Sequence, residues 1–248
     1  MKLVDVHIHL DFDQYKDINS ILKEAKEKHV KAIIANGVNQ KSNEKVLELA
    51  KIDPIIKPAL GLYPTDIQDL SEEKIEDSLE FIKKNPKVAF GEVGLDLKDS
   101  TPKQFEVQKK VFSRFIELSE KTKKPLIIHS RKAELQVIEM LESSTLKNPV
   151  MHCFMGKKKL MQRASDNEYN FSILPIAQKS QQIQDTIKYV PLKQLLTETD
   201  GPFMSPDEEF NKPHKVIHAI KTIAEIKNLE VEETANIIFM NYLKKFKS

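Results

Sequence analysis

Eight short apolar, β-branched runs recur along the chain, at residues 3–9, 31–36, 55–63, 88–96, 126–131, 150–154, 169–174 and 195–200. Each has the length of a strand. Between them lie segments such as 18–29, 71–84, 104–121 and 133–142, whose apolar residues return every three or four positions, as a half-buried helix requires. Helix starts carry matching signals: Asp17 before Ile18, Ser71 with Glu72 and Glu73 in the first turn, and Thr101 followed by Pro102. The repeating strand–helix pattern predicts an α/β fold. Eight strands in 248 residues suit a TIM-type (β/α)8 barrel, which takes roughly 250, with an open doubly wound sheet as the alternative. After the eighth strand, residues 207–211 read as an acidic loop, and 213–227 with 231–246 as closing helices. No linker or internal repeat interrupts the pattern, so a single barrel domain over 1–248 is expected.

Composition narrows the class. Hydrophobic residues make up 40% and charged residues 31%, with only 6 glycines and 12 prolines, which excludes collagen-like and wholly disordered chains. No apolar run reaches the roughly 18–20 residues of a membrane span. Asp5 falls where a signal peptide would carry its apolar stretch, so an unsecreted protein is expected. The lone cysteine, Cys153, cannot form an internal disulfide, which fits a reducing, cytoplasmic setting. A net charge of +2 gives no overall field for a nucleic acid, and nothing implies an obligate protein partner.

Four of the seven histidines fall at the C-terminal ends of predicted strands: His7 and His9 in VDVHIH, His129 in LIIHSR and His152 in VMHCF. Two acids, Glu92 in AFGEVGLD and Asp200 in LLTETD, stand at the same level, each a charge in an apolar run that demands a partner. In a barrel every strand's C-terminal end opens onto one rim, so these six side chains would meet. His7 and His9, two apart on a strand, point to one face. A single such histidine reads equally well as a core residue satisfied by a hydrogen bond. Four imidazoles with two carboxylates instead suit a pair of divalent cations roughly 3.5–4 Å apart, bridged by a carboxylate. Imidazole with carboxylate fits Zn²⁺, Mn²⁺, Co²⁺ or Fe²⁺. The other histidines read as bland: His29 ends a helix, and His214 and His218, four apart, lack the glutamate of an HExxH motif. Cys153 would alternate to the opposite strand face from His152. There is no Gly-rich phosphate loop and no GxSxG elbow.

The ordered motifs VDVHIHLD, GEVGLD, IHSR, MHCFMG and TETDGP span nearly the whole chain, and together they resemble the TatD family of metal-dependent hydrolases, in the amidohydrolase-like group of barrels. The resemblance implies deoxyribonuclease activity, phosphodiester cleavage with divalent cations that include Mg²⁺. It implies His7, His9 and Asp200 on one cation, His129 and His152 on the other, and Glu92 between them. Asp96, at the end of the same motif as Glu92, is expected to support the shell rather than ligate.

Two motifs depart from the family pattern. GLYPTD puts Tyr63 where many members have a histidine, and Asp207, Glu208 and Glu209 stand where a basic loop is usual. Both lean toward an alternative, a metallohydrolase of small esters, amides or lactones, or of an acyl-ester linkage. A barrel that holds metal without catalysis is the third reading. The expected chemistry is attack by a hydroxide bridging the cations, its parent water acidified from about 15.7 toward roughly 7. Asp200 and Glu92 are expected to be catalytic, with Asp200 moving the proton. Arg131, two residues past His129, and Tyr63 are the expected substrate contacts, and Phe154 and Phe203 are rings able to stack on a base.

Overall fold

All eight apolar runs become parallel strands in the computed structural model, which describes residues 1–85, 87–98, 100–147 and 149–246. They are β1 (Leu3–Ile8), β2 (Val30–Asn36), β3 (Ile56–Leu60), β4 (Ala89–Gly94), β5 (Leu126–His129), β6 (Val150–Met151), β7 (Asn170–Ile173) and β8 (Leu195–Thr197), paired in chain order within one sheet. Residues 247 and 248 of the expected 1–248 span lie outside the described residues. The helices between the strands are α1 (Ile18–Glu27), α2 (Gln40–Ile52), α3 (Pro64–Ile67), α4 (Glu72–Lys84), α5 (Pro102–Thr122), α6 (Glu134–Glu142), α7 (Lys158–Asp166) and α8 (Gln181–Tyr189). Two more, α9 (Val216–Lys227) and α10 (Val231–Phe246), follow β8, and both pack on β1 and β8. No helix of the described residues is long and apolar enough to cross a membrane.

Whether the sheet is open or closed depends on β8 and β1, which the chain brings together. Asp200 N–H donates to the His7 carbonyl (2.9 Å) and His9 N–H to the Gly201 carbonyl (2.8 Å). The Thr197 hydroxyl donates to the Val4 carbonyl at 2.7 Å. Asp5 completes the seam, its carboxylate accepting from the backbone and hydroxyl of Thr199 and from His7 N–H. The structure is therefore the barrel, and the open sheet is set aside. Every residue of β1 and β4 is buried, as strands covered on both faces should be.

Local chemistry explains the element boundaries. Asp17 caps α1 by accepting from Ser20 N–H, and Thr101 with Gln104 forms a reciprocal capping box behind Pro102. Lys123, left-handed at φ 58, ends α5 just before Pro125. Several strands stop sooner than the apolar runs suggest, β5 at His129, β6 at Met151 and β8 at Thr197. Lys132, Cys153 and Asp200 then take positive φ (58, 42 and 54), which turns the chain off the sheet. A side chain in that region costs about 1–2 kcal/mol, and such strain gathers at functional rims.

Candidate metal centre and its cleft

The barrel rim does bring the six expected side chains together. His7 Nε2 and His9 Nε2 lie 3.3 Å apart. Each is 3.4 Å from Glu92 Oε2 and 3.5 Å from Asp200 Oδ1. The other oxygen of Glu92 faces the opposite pair: Oε1 is 2.9 Å from His129 Nδ1 and 3.7 Å from His152 Nε2. Glu92 thus divides its two oxygens between two pairs of imidazoles. Two overlapping groups have ligand atoms close enough to share an ion, His7 with His9 and Asp200, and His7 with Glu92 and His152.

The backbone around Glu92 is held by close approach. At Gly61 a Cβ would lie 2.5 Å from the Glu92 carbonyl, and at Gly94, with φ +143, one would lie 2.0 Å from the His129 carbonyl. Only glycine fits either place. The outer face of the cluster is a ring of acceptors. His9 Nδ1 meets the Asn36 carbonyl (3.2 Å), His129 Nε2 meets Asp96 Oδ2 (2.9 Å), and His152 Nδ1 meets Glu198 Oε2 (2.7 Å). An acceptor outside keeps the proton on the outer nitrogen and leaves the inner lone pair free, the arrangement that metal-binding histidines show. His7 Nδ1 is the exception, buried with no partner.

The donor set fits a divalent cation. The His7 and His9 nitrogens lie 3.3 Å apart and 3.4–3.5 Å from a carboxylate oxygen of Glu92 and of Asp200, and such mixed imidazole–carboxylate donors suit a divalent transition-metal ion. Electrostatics agree. Burial pushes the Glu92 carboxyl up, but the His7 charge and bonds from His129 and His7 outweigh it and hold it well below its ordinary value. Asp200 is likewise lowered against its burial, by His152 and His9. Burial lowers His7, whereas His9 is held well above its ordinary value because bonds to Asp200 and Glu92 overcome burial. At His152 the charges of Glu198 and Asp200 overcome burial and raise it to about 9. Ionised carboxylates here attract whatever positive charge is offered, protons on imidazole or a cation.

A cleft of about 1010 Å³ opens over the cluster, walled by the loops after β1, β2 and β3, by α2 and by the loop after β8. Tyr63 lines it, its hydroxyl 3.4 Å from His129 Nε2. Arg131 is placed differently from the expectation. β5 ends at His129, so Arg131 sits in the following turn, is exposed, and does not line the cleft. The turn also changes Cys153, which does not alternate across a strand but is half-buried at φ 42, its N–H donating to Glu198 Oε1 at 2.9 Å. Phe154 is only 5% exposed and packs on Phe171, whereas Phe203 is 49% exposed in the cleft wall. His29 is exposed with φ 66, and His214 pairs with Glu24 at 3.6 Å, away from the cluster.

Two buried acids were not among the expected site residues, Glu198 and Asp5. Both were visible as charges in apolar runs, and Asp5 lies two positions before His7 on the same strand face. The cleft's acidity also comes from residues outside the expected site set. Asp11, Asp13, Glu44, Glu48 and Asp66 line it against Lys41 and Lys45.

A barrel that draws four histidines and two acids from five strand ends onto one rim is the architecture of a metal-dependent hydrolase. Residues 4–247 match the model of the TatD-related DNase family, and the chain belongs to that family. Among similar proteins, Deoxyribonuclease TATDN3 of Homo sapiens is 31% identical over 98% of this chain and 94% of its own. The uncharacterized metal-dependent hydrolase YabD of Bacillus subtilis (strain 168) is 31% identical over 99% of both chains. The crystal structure of YJJV, a TatD homolog from Escherichia coli K12, matches with a TM-score of 0.90 and 26% identity over 99% of this chain and 98% of that one.

Proposed function

We propose that this protein is a deoxyribonuclease that cleaves phosphodiester bonds with a pair of divalent cations held by His7, His9, Glu92, His129, His152 and Asp200. The observation that carries the reading is the division of Glu92, one oxygen toward His7 and His9 and the other toward His129 and His152. That geometry suits a carboxylate between two ions. Divalent cations bound there supply Lewis-acid polarisation of a substrate oxygen and a more acidic water.

The chain's own residues complete the chemistry. Asp200, with 16% of its side chain reachable from the cleft, accepts the proton from the attacking water and returns it to the leaving oxygen. Glu92 keeps both its oxygens engaged inside the cluster and orients the imidazoles around it. Tyr63 holds its proton, because burial and the nearby Glu92 charge raise its hydroxyl above the ordinary value, so it donates a hydrogen bond toward a substrate oxygen. The single free cysteine suits a reducing compartment, and we place the protein in the cytoplasm.

The acidic cleft wall and Tyr63 favour a second reading, hydrolysis of a small ester or related acyl compound at the same centre. A panel of single-stranded DNA, a phosphodiester reporter and carboxylic-ester reporters, each with and without chelator, separates the two. DNA cleavage lost both with chelator and in Glu92→Ala supports the nuclease. Turnover of esters alone supports the second reading. Activity that survives both treatments contradicts each.

A further inference from the structure

Two residues of the cluster are each followed three positions later by a phenylalanine. Phe12 N–H donates to the His9 carbonyl (3.3 Å) and Phe203 N–H to the Asp200 carbonyl (3.0 Å), so each ring rides on a turn that carries a cluster side chain. The two turns are tied to each other by the bonds that close the barrel between β8 and β1. Phe12 lies nearly parallel to the His9 ring, with centroids 5.0 Å apart at 24°, and meets Phe203 near-perpendicular at 5.8 Å and 83°. Both rings line the cleft, and Phe203 stays 49% exposed. A lone exposed apolar side chain is ordinary. A braced aromatic ring three residues from Asp200, in the wall of the cleft, is a surface on which a planar group can stack.

The rest of the wall decides which planar group. A strand held by its phosphates needs a basic track, yet five acids face two lysines here. Affinity for a nucleic acid must then come from its bases, whose stacking on an aromatic ring contributes about 1–3 kcal/mol each. A paired base inside a duplex is already stacked on both faces, whereas an unpaired terminal base is free to leave its neighbour. We propose that Phe203, braced by Phe12, is the stacking platform for one unpaired nucleobase of a single-stranded DNA end whose phosphodiester lies at the cluster. The inference rests on the deoxyribonuclease reading and adds the residue that holds the base.

The test compares wild type with Phe203→Ala, Phe203→Leu and Phe203→Tyr on a single-stranded oligonucleotide and on the same oligonucleotide with abasic terminal residues. Alanine and leucine should raise KM for the base-bearing strand roughly 5- to 140-fold, the equivalent of about 1–3 kcal/mol, with kcat little changed. Tyrosine should restore it, and the abasic strand should respond to none of them. Leucine keeps the apolar bulk without the ring, so a loss that leucine repairs would reveal a packing role and overturn the proposal. Equal effects on both strands would also overturn it. A second readout needs no turnover: 2-aminopurine in a phosphorothioate-linked trinucleotide should be quenched on binding wild type and not Phe203→Ala. Quenching without any DNA cleavage would remove the nuclease reading and leave the platform standing. Cleavage of DNA without quenching would do the reverse.

Discussion

Replacing Glu198 with glutamine changes one atom in a fully buried side chain and should disable one corner of the metal centre. Glu198 Oε1 accepts from the Cys153 backbone N–H at 2.9 Å, and Oε2 meets His152 Nδ1 at 2.7 Å. An amide has one oxygen and one NH₂ for these two partners, and the backbone N–H can only donate. If the oxygen goes to Cys153, the NH₂ faces His152 Nδ1 and forces it to accept. The imidazole proton then moves to Nε2, the nitrogen aimed at Glu92, where it blocks a cation. If the amide flips, a buried donor loses its acceptor, at a cost of about 1–3 kcal/mol. That cost selects the first arrangement, in which every buried donor keeps an acceptor, and cation affinity should then fall roughly 10- to 100-fold, the range typical for removing such a partner. Calorimetric titration of chelator-stripped protein with Mn²⁺ reads the affinity, and ¹⁵N chemical shifts of His152 in the cation-free protein, taken above about pH 9 where the imidazole is neutral, read the tautomer. The cation-free fold should melt close to wild type. Unchanged affinity, with the His152 proton still on Nδ1, would refute the reasoning.

Four further outcomes follow from the same geometry. Asp200→Asn should retain bound cation while kcat falls about 10²- to 10⁴-fold, the usual share of a positioned proton carrier, as steady-state kinetics with metal analysis will show. Asp5→Ala leaves the Thr199 and His7 donors unsatisfied in the β8–β1 seam and should cost about 1–3 kcal/mol for each in urea unfolding, whereas Asp5→Asn should cost far less. Binding of a single strand should depend weakly on salt, with a log–log slope no steeper than about −0.7 for each of the two cleft lysines. Burial, with the Lys124 charge, lowers Lys87 to about 8. The native state therefore releases that proton before the unfolded chain does, so its contribution to stability should rise between about pH 8 and 10.5. Urea titrations of wild type and Lys87→Met across that window should differ in slope.

Much of this site could be read from the chain before any coordinates. The i, i+2 spacing of His7 and His9 puts both imidazoles on one face, and strand ends in a barrel share a rim, so Glu92, His129, His152 and Asp200 could be expected beside them. What resisted reading was the backbone past each strand. Arg131 follows β5 in a turn rather than on the strand and is exposed, while its charge still acts on Tyr63 and Asp96 beside the cluster. Cys153 also lies past its strand, at φ 42, yet it packs against the apolar core rather than joining the cluster. Glu198 and Asp5 carried a signal, an acid inside an apolar run, but their partners are set by how strands stand beside one another in the closed barrel: His152 and the Cys153 N–H past β6 for Glu198, and Thr199 across the β8–β1 seam for Asp5. The acidic cleft wall gathers Asp11 and Asp13 after β1, Glu44 and Glu48 on α2 and Asp66 on α3, acids that only the fold brings side by side.

The claim beneath all of this is that the rim cluster is a cation site rather than a buried network of histidine–carboxylate hydrogen bonds. Anomalous scattering from crystals grown with Mn²⁺ tests it most directly. The account predicts peaks within about 2.0–2.3 Å of His7 Nε2, His9 Nε2 and Glu92, and a second beside His129 and His152. A map without peaks there, with the imidazoles still bonded to the carboxylates they face, would contradict it.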